Sequence, residues 1–332
     1  MVAMMFQHPI IRKIYLSSFQ GFMQAKSLYM HFYKNSVEYP LLDKKQHKIH
    51  NIKKVQFIFY KGMKDTKNIK HTIKGIELLS TLSEAGKKIF TLAEARGFAR
   101  PLGIPEKSVS NVLYLLKEGG WLISLKRGLF ALSKGFSTEP LHEFEIAMAL
   151  IEPVAVSHWS ALHHHGLTDQ IPRQVFLLTT QQVTLPRQHQ GTFGIYSINQ
   201  IDYVFSRIKK ELFFGIQRIW INRTEVFITD LERSLLDGLD KPQLCGGLNE
   251  VINAFQLSKP QIDLEKIISY ALQWDTAIIK RLGWVLSYIG IEENKLSKLL
   301  RVNVKGYRKL DCIGPSKGPC NSKWMIQENI YG

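Results

Sequence analysis

Residues 106–132 read EKSVSNVLYLLKEGGWLISLKRGLFAL. Val109, Val112, Leu113 and Leu116 fall on one stripe at helical spacing, which predicts a helix over 106–118. Gly119-Gly120 supplies its left-handed stop. Two apolar runs follow, Trp121–Leu125 and Leu129–Leu132, joined by a tight Lys126-Arg127-Gly128 turn. The stretch therefore predicts a helix running straight into a hairpin with two cations at its tip.

Upstream, Ile76, Leu79 and Leu82 repeat at helical spacing until Gly86. Lys88-Ile89-Phe90 reads as a short extended piece. Thr91-Leu92-Ala93-Glu94 is a capping box, in which threonine accepts the third amide and glutamate reaches back. The helix it opens ends near Gly97, and Pro101, Gly103 and Pro105 mark a turn. The order over 73–135 is thus helix, strand, helix, turn, helix, hairpin, the order of a winged helix-turn-helix.

Downstream, residues 141–170 read as helical, and 174–180, 192–198, 212–221 and 225–228 as strands. A second capping box, Thr229 to Glu232, opens LERSLLDGL, and helices fit 247–256, 263–272 and 276–289. The expected fold is α+β: an N-terminal winged helix-turn-helix followed by a larger mixed α+β domain over 136–290. A basic leader, 1–72, is expected to be poorly ordered, with Met63 as an alternative start. Residues 291–332 are expected to be a helix end and a loose basic tail.

Charge follows the same division. The chain of 332 residues carries a net +16. Residues 1–75 have 14 Lys/Arg against 3 Asp/Glu, and 76–135 have 9 against 5. Residues 136–290 have 13 against 16, so the excess lies outside the larger domain and favours a polyanionic partner. Cys245, Cys312 and Cys320 form no CxxC pair, which suits a reducing cytosol. No apolar stretch approaches the roughly 18 residues of a membrane span, and the first residues hold no signal-peptide core.

The residues expected to meet DNA follow from this frame. Lys107, Ser108, Ser110, Asn111, Tyr114 and Lys117 lie opposite the apolar stripe of the third helix. Asn111 has the geometry to read adenine, the serines suit bases or phosphates, and Lys107 suits a phosphate. Lys126 and Arg127 at the wing tip, and Arg100 in the turn, suit phosphates.

Two other clusters invite catalytic readings and do not sustain them. His163-His164-His165 with His158 lacks the i, i+4 pairing of a helical zinc site, and no Cys or Glu stands at ligand spacing. Asp230, Glu232, Asp237 and Asp240 are close enough to suit magnesium, but capping explains Thr229 and Glu232, and Leu231, Leu235 and Leu236 form an apolar stripe, so the structural reading is preferred. Walker loop, GxGxxG and nucleophile elbow are all lacking. The expectation is no catalytic residue, no metal and no cofactor. The competing functions are a metal-dependent enzyme acting on nucleotides or nucleic acid, and a winged-helix adaptor for proteins.

Three stretches in order carry a resemblance: SALHHHGL (160–167), ERSLLD (232–237) and Cys245-Gly246-Gly247. With the winged helix before them, residues 74–290 resemble the AbiEi antitoxins of type IV toxin–antitoxin (abortive infection) systems. The resemblance implies a cytoplasmic, non-enzymatic autorepressor whose winged helix binds inverted repeats in double-stranded DNA of its own promoter. It implies that the larger domain counteracts a nucleotidyltransferase-like toxin encoded next door, without requiring a stable complex. The basic leader departs from the family pattern, and non-specific DNA affinity is expected of it.

Overall fold

The computed structural model describes residues 66–133, 140–183 and 193–330. The expectation for the leader therefore lies, for residues 1–65, outside the described residues. The chain divides into two compact units. The first holds the described residues up to 124 together with 130–133; the second holds 125–129 and the described residues from 140 onward.

The first unit opens with α1 (Thr66–Glu84), which begins ten residues before Ile76, the first residue of the apolar repeat, and so takes in residues 66–72 of the expected leader. Leu78, Leu79 and Leu82 are fully buried. Gly75 lets α1 close onto the third helix: a Cβ there would stand 3.0 Å from Val112 Cγ1 and 3.1 Å from Leu116 Cδ2. After β1 (Ile89–Thr91), the capping box forms as read. Thr91 Oγ1 accepts from Glu94 N at 3.2 Å, and Glu94 Oε2 accepts from Thr91 N at 2.8 Å. It starts α2 (Leu92–Ala99). The turn to α3 (Glu106–Glu118) is pinned by Lys74 Nζ, 3.0 Å from the carbonyl oxygens of both Leu102 and Gly103. At the end of α3 it is Gly120, not Gly119, that takes the left-handed backbone, φ +74°. That turn brings Trp121 N onto Leu116 O at 3.0 Å. The strands β2 (Leu122–Lys126) and β3 (Leu129–Leu132) follow, and the three strands lie in the order β1-β3-β2.

The second unit is mixed α+β. Its sheet runs β6-β7-β5-β4-β9-β8 among the described residues. The pairs β4–β5, β6–β7 and β8–β9 are antiparallel, and β4–β9 and β5–β7 parallel. The stretch 141–170, read as helical, holds two helices with a strand between them: α4 (Glu143–Leu150), β4 (Val154–Val156) and α5 (His158–His164). Pro153 has no amide to continue a helix, and Val-Ala-Val is wholly buried at mid-sheet. The strands β5 (Gln174–Thr179) and β6 (Gly194–Ile198) fall close to prediction. β7 (Ile201–Arg207) was not predicted. It is reached by a two-residue turn, Asn199-Gln200, with φ +49° and +68°, the signs of a type I′ hairpin made without glycine. The hairpin β8 (Ile216–Ile221) and β9 (Thr224–Thr229) closes the other edge.

Helices α6 (Leu231–Asp240), α7 (Leu248–Ser258), α8 (Leu264–Ala271) and α9 (Thr276–Tyr288) build the main core. The tail is not loose. Residues 293–300 form a 3-10 turn and the short α10 (Ser297–Leu300). The strand pairs β10 (Arg308–Lys309), β11 (Cys320–Asn321) and β12 (Ile326–Gln327) form a small sheet. Leu299, Leu310, Trp324 and Ile326 join the core. Two buried cations of α9 tie it down: Lys280 Nζ donates to the carbonyls of Leu299 and Leu300, and Arg281 Nε to that of Lys309. The Gly, Pro and Lys content of this segment resembles a linker, while four well-spaced apolar residues anchor it. No described helix is long and apolar enough to cross a membrane.

Candidate nucleic-acid interface

The helix α3 has two unlike sides. Val109, Val112, Leu113 and Leu116 are at most 1 % exposed. Lys107, Ser110, Asn111, Tyr114 and Lys117 are exposed, Tyr114 by 56 %. At 100° per residue these five span an arc of roughly 120°, with Lys107, Asn111 and Tyr114 nearly in line. Ser108 lies about 100° from Lys107 and is half-buried, on the flank of the polar face. Arg100 is exposed at the C-cap of α2. Arg96 is exposed too, and its guanidinium stands 3.6 Å from Glu106, which partly offsets its charge.

The two cations of the hairpin behave differently. Lys126 Nζ donates to Leu150 O at 2.7 Å, both within the second unit. Arg127 is exposed at the turn, where Gly128 takes φ +75°.

The histidine cluster is dispersed by the fold. His158 is buried on a left-handed backbone, φ +48°, with Nδ1 2.8 Å from Ser157 Oγ. Burial, reinforced by Lys241 and Arg233, holds its pKa well below the ordinary value, so the ring is neutral. His165 Nε2 donates to Thr229 O at 2.8 Å, while His163 and His164 face solvent. No group of three His, Cys, Asp or Glu among the described residues has metal-binding geometry.

The acidic set is likewise taken up by structure. The cap of α6 is Asp230, one residue past the predicted Thr229, and it accepts from Arg233 N at 2.8 Å. Thr229 Oγ1 instead bonds Ser234 Oγ at 2.7 Å. Asp230 also takes Tyr270 Oη at 3.0 Å and Lys266 Nζ at 3.1 Å. Glu232 takes Lys266 Nζ at 2.8 Å and Asp263 N at 2.9 Å rather than reaching back to the cap. Asp237 pairs with the fully buried Arg233 at 2.9 Å. Arg233 also donates to the carbonyls of Leu212 and Phe214 and lies over the rings of Phe214 and Trp274. A cleft bounded by Glu143, Ser160, His163 and Arg173 holds about 170 Å³, below the roughly 300 Å³ at which small-molecule sites begin.

The stretches that carry the family resemblance thus serve packing. Ser160 Oγ accepts from Phe176 N at 3.0 Å, and Gly166 ends α5 at φ +69°. Gly246, at φ +80°, lies so close under Trp159 that a Cβ would meet its ring at 2.8 Å.

No family model matches this chain, and no curated protein matches it. Among solved structures it is similar to the crystal structure of RV2827C protein from Mycobacterium tuberculosis, with a TM-score of 0.57 and 12 % identity. The match covers 76 % of this chain and 90 % of that one, a likeness of fold.

Proposed function

We propose that the first unit is a winged helix-turn-helix and that the protein is a DNA-binding autorepressor, the antitoxin of a type IV toxin–antitoxin system. One observation carries the DNA-binding part: the side of α3 opposite its buried stripe is exposed, polar and basic, as a recognition helix requires. In this reading Asn111, Ser110 and Tyr114 meet base edges, and Lys107, Lys117, Arg100 and Arg127 meet phosphates. The partner is double-stranded DNA of the protein's own promoter, at inverted repeats. The antitoxin part rests on the resemblance of residues 74–290, and its functional counterpart is a nucleotidyltransferase-like toxin. The reading needs no metal and no cofactor, and it places the protein in the cytoplasm.

The test is a mobility-shift titration with DNA from upstream of the gene against random DNA of equal length. Tighter binding to the upstream fragment, unchanged by chelator, is expected. Equal affinity for both fragments would remove the operator. No shift with either would favour the protein-adaptor reading.

A further inference from the structure

The geometry points to a second copy of this chain as the partner of β8, paired edge to edge and antiparallel about a two-fold axis at Ile219. Among the described residues, β8 is the end strand of the six-stranded sheet. Its exposed face carries Arg218 and Trp220, the latter 66 % exposed, beside Phe227 of β9 at 41 %.

Which backbone groups face the open edge follows from two bonds. Phe227 N points away from β8, to Met148 Sδ at 3.3 Å. Asp230 N points toward the β8 side, to Gly215 O at 2.9 Å. In an antiparallel ladder these directions alternate, so Gln217, Ile219 and Ile221 bond inward to Ile228, Val226 and Thr224. The amides and carbonyls of Ile216, Arg218 and Trp220 therefore face outward.

Four registers would let two such edges pair. With Gln217 on the axis, Arg218 lies opposite Ile216, and Trp220 falls opposite Phe214, which lies outside the strand. With Arg218 on the axis, two guanidinium groups oppose each other, which is repulsive. With Trp220 on the axis, Arg218 falls opposite Asn222, whose φ of +54° has already left the strand. With Ile219 on the axis, Arg218 of each copy lies opposite Trp220 of the other. Both Arg218–Trp220 pairs are then hydrogen-bonded pairs, and both set a guanidinium against an indole face. Glu225 holds Arg218 on that face, 2.7 Å from its Nη1. The strand is short, so the dimer is a weak one. The inference stands apart from the DNA reading, because its assay contains no DNA.

The test is sedimentation of the full chain over a concentration series. The mass is expected to double toward high concentration. Trp220→Pro removes an outward N–H and spares the β8–β9 ladder, so it should stay at the mass of one chain with an unchanged circular-dichroism spectrum. Arg218→Glu should lose the dimer as well, without any backbone change. Ile219→Cys, with the exposed Cys320 replaced by Ser, should form a covalent dimer on oxidation. Wild-type protein that keeps the mass of one chain at its highest soluble concentration would overturn the inference. So would Arg218→Glu protein that dimerises like wild type, or a wild-type dimer whose Ile219→Cys variant fails to cross-link.

Discussion

Lys126 Nζ stands 2.7 Å from the carbonyl oxygen of Leu150, while its neighbour Arg127 projects into solvent. Two adjacent cations, equivalent in the sequence, are therefore unequal in the structure. A lysine amine already engaged must give up that bond before it meets a phosphate. Arg127→Ala is expected to reduce the slope of log K against log salt by about one. Lys126→Ala should change it by less. Titrations of each variant against upstream DNA at several salt concentrations measure both, and a larger loss for Lys126→Ala would reverse the assignment.

Asn111 and Ser108 make a second contrast, on α3 itself. Asn111 is exposed in line with Lys107 and Tyr114, and Ser108 is half-buried on the flank. Asn111→Ala should lose about 1–3 kcal/mol on the operator and little on random DNA, the signature of a lost base contact. Ser108→Ala should leave discrimination between the two nearly unchanged. Equal losses on both DNAs for Asn111→Ala would make it a backbone contact instead.

Two buried groups give stability opposite pH dependences. His158 is held neutral, so below about 6.5 the unfolded chain takes up a proton that the native state refuses. Stability from this group is present above that pH and lost as pH falls. Asp237 behaves in reverse. Burial pushes its carboxyl up to about 6, against the pull of Arg233. From its ordinary value of 3.8 to about 6 the native state keeps a proton the unfolded chain has released. That contribution is full below the ordinary value and is lost as pH rises to 6, by about 3 kcal/mol at most. His158→Asn, which tolerates the left-handed backbone, should flatten the loss of stability between pH 7 and 5. Asp237→Asn, a neutral isostere, should resemble the protonated native state and so change stability little at pH 4. It should also abolish the decline between pH 4 and 6. Urea midpoints across this range for the three proteins decide it; an Asp237→Asn curve parallel to wild type would show that this carboxyl does not titrate there.

Much of the first unit is legible because its signals are local. A capping box, a glycine stop and a four-residue apolar stripe each act within a few residues, and α2 and α3 appear where those signals put them. The second unit is less legible because its decisive partners are distant in sequence. β4 shares an apolar stretch with two helices, and only its place between β5 and β9 makes it a strand. β7 lacks the Asn-Gly pair that announces a hairpin. The sequence pattern put the cap of α6 at Thr229, whereas the structure puts it at Asp230, whose carboxylate is taken up by Tyr270 and Lys266, some forty residues on. The exposed polar face of α3 could be read from its periodicity. The engagement of Lys126 and the open edge of β8 could not, since both depend on contacts that no short-range pattern records.

The tail provides the most direct test that residues beyond 290 belong to the fold. Trp324 is 1 % exposed and rests on Gly283 of α9, where a Cβ would fall 2.1 Å from its ring. Its Nε1 donates to Ser287 Oγ at 3.1 Å. Trp324→Ala should cost about 3–5 kcal/mol, the range for emptying a buried aromatic site. Gly283→Ala should also destabilise strongly, because the indole and the new methyl group compete for the same space. If that contact is the cause, the two changes are not additive: Gly283→Ala made in the Trp324→Ala protein has nothing left to strike and should be close to neutral. A double-mutant cycle on urea unfolding free energies measures the coupling. Additive losses would mean that Trp324 does not pack on α9, and the tail would then return to the loose segment its composition suggests.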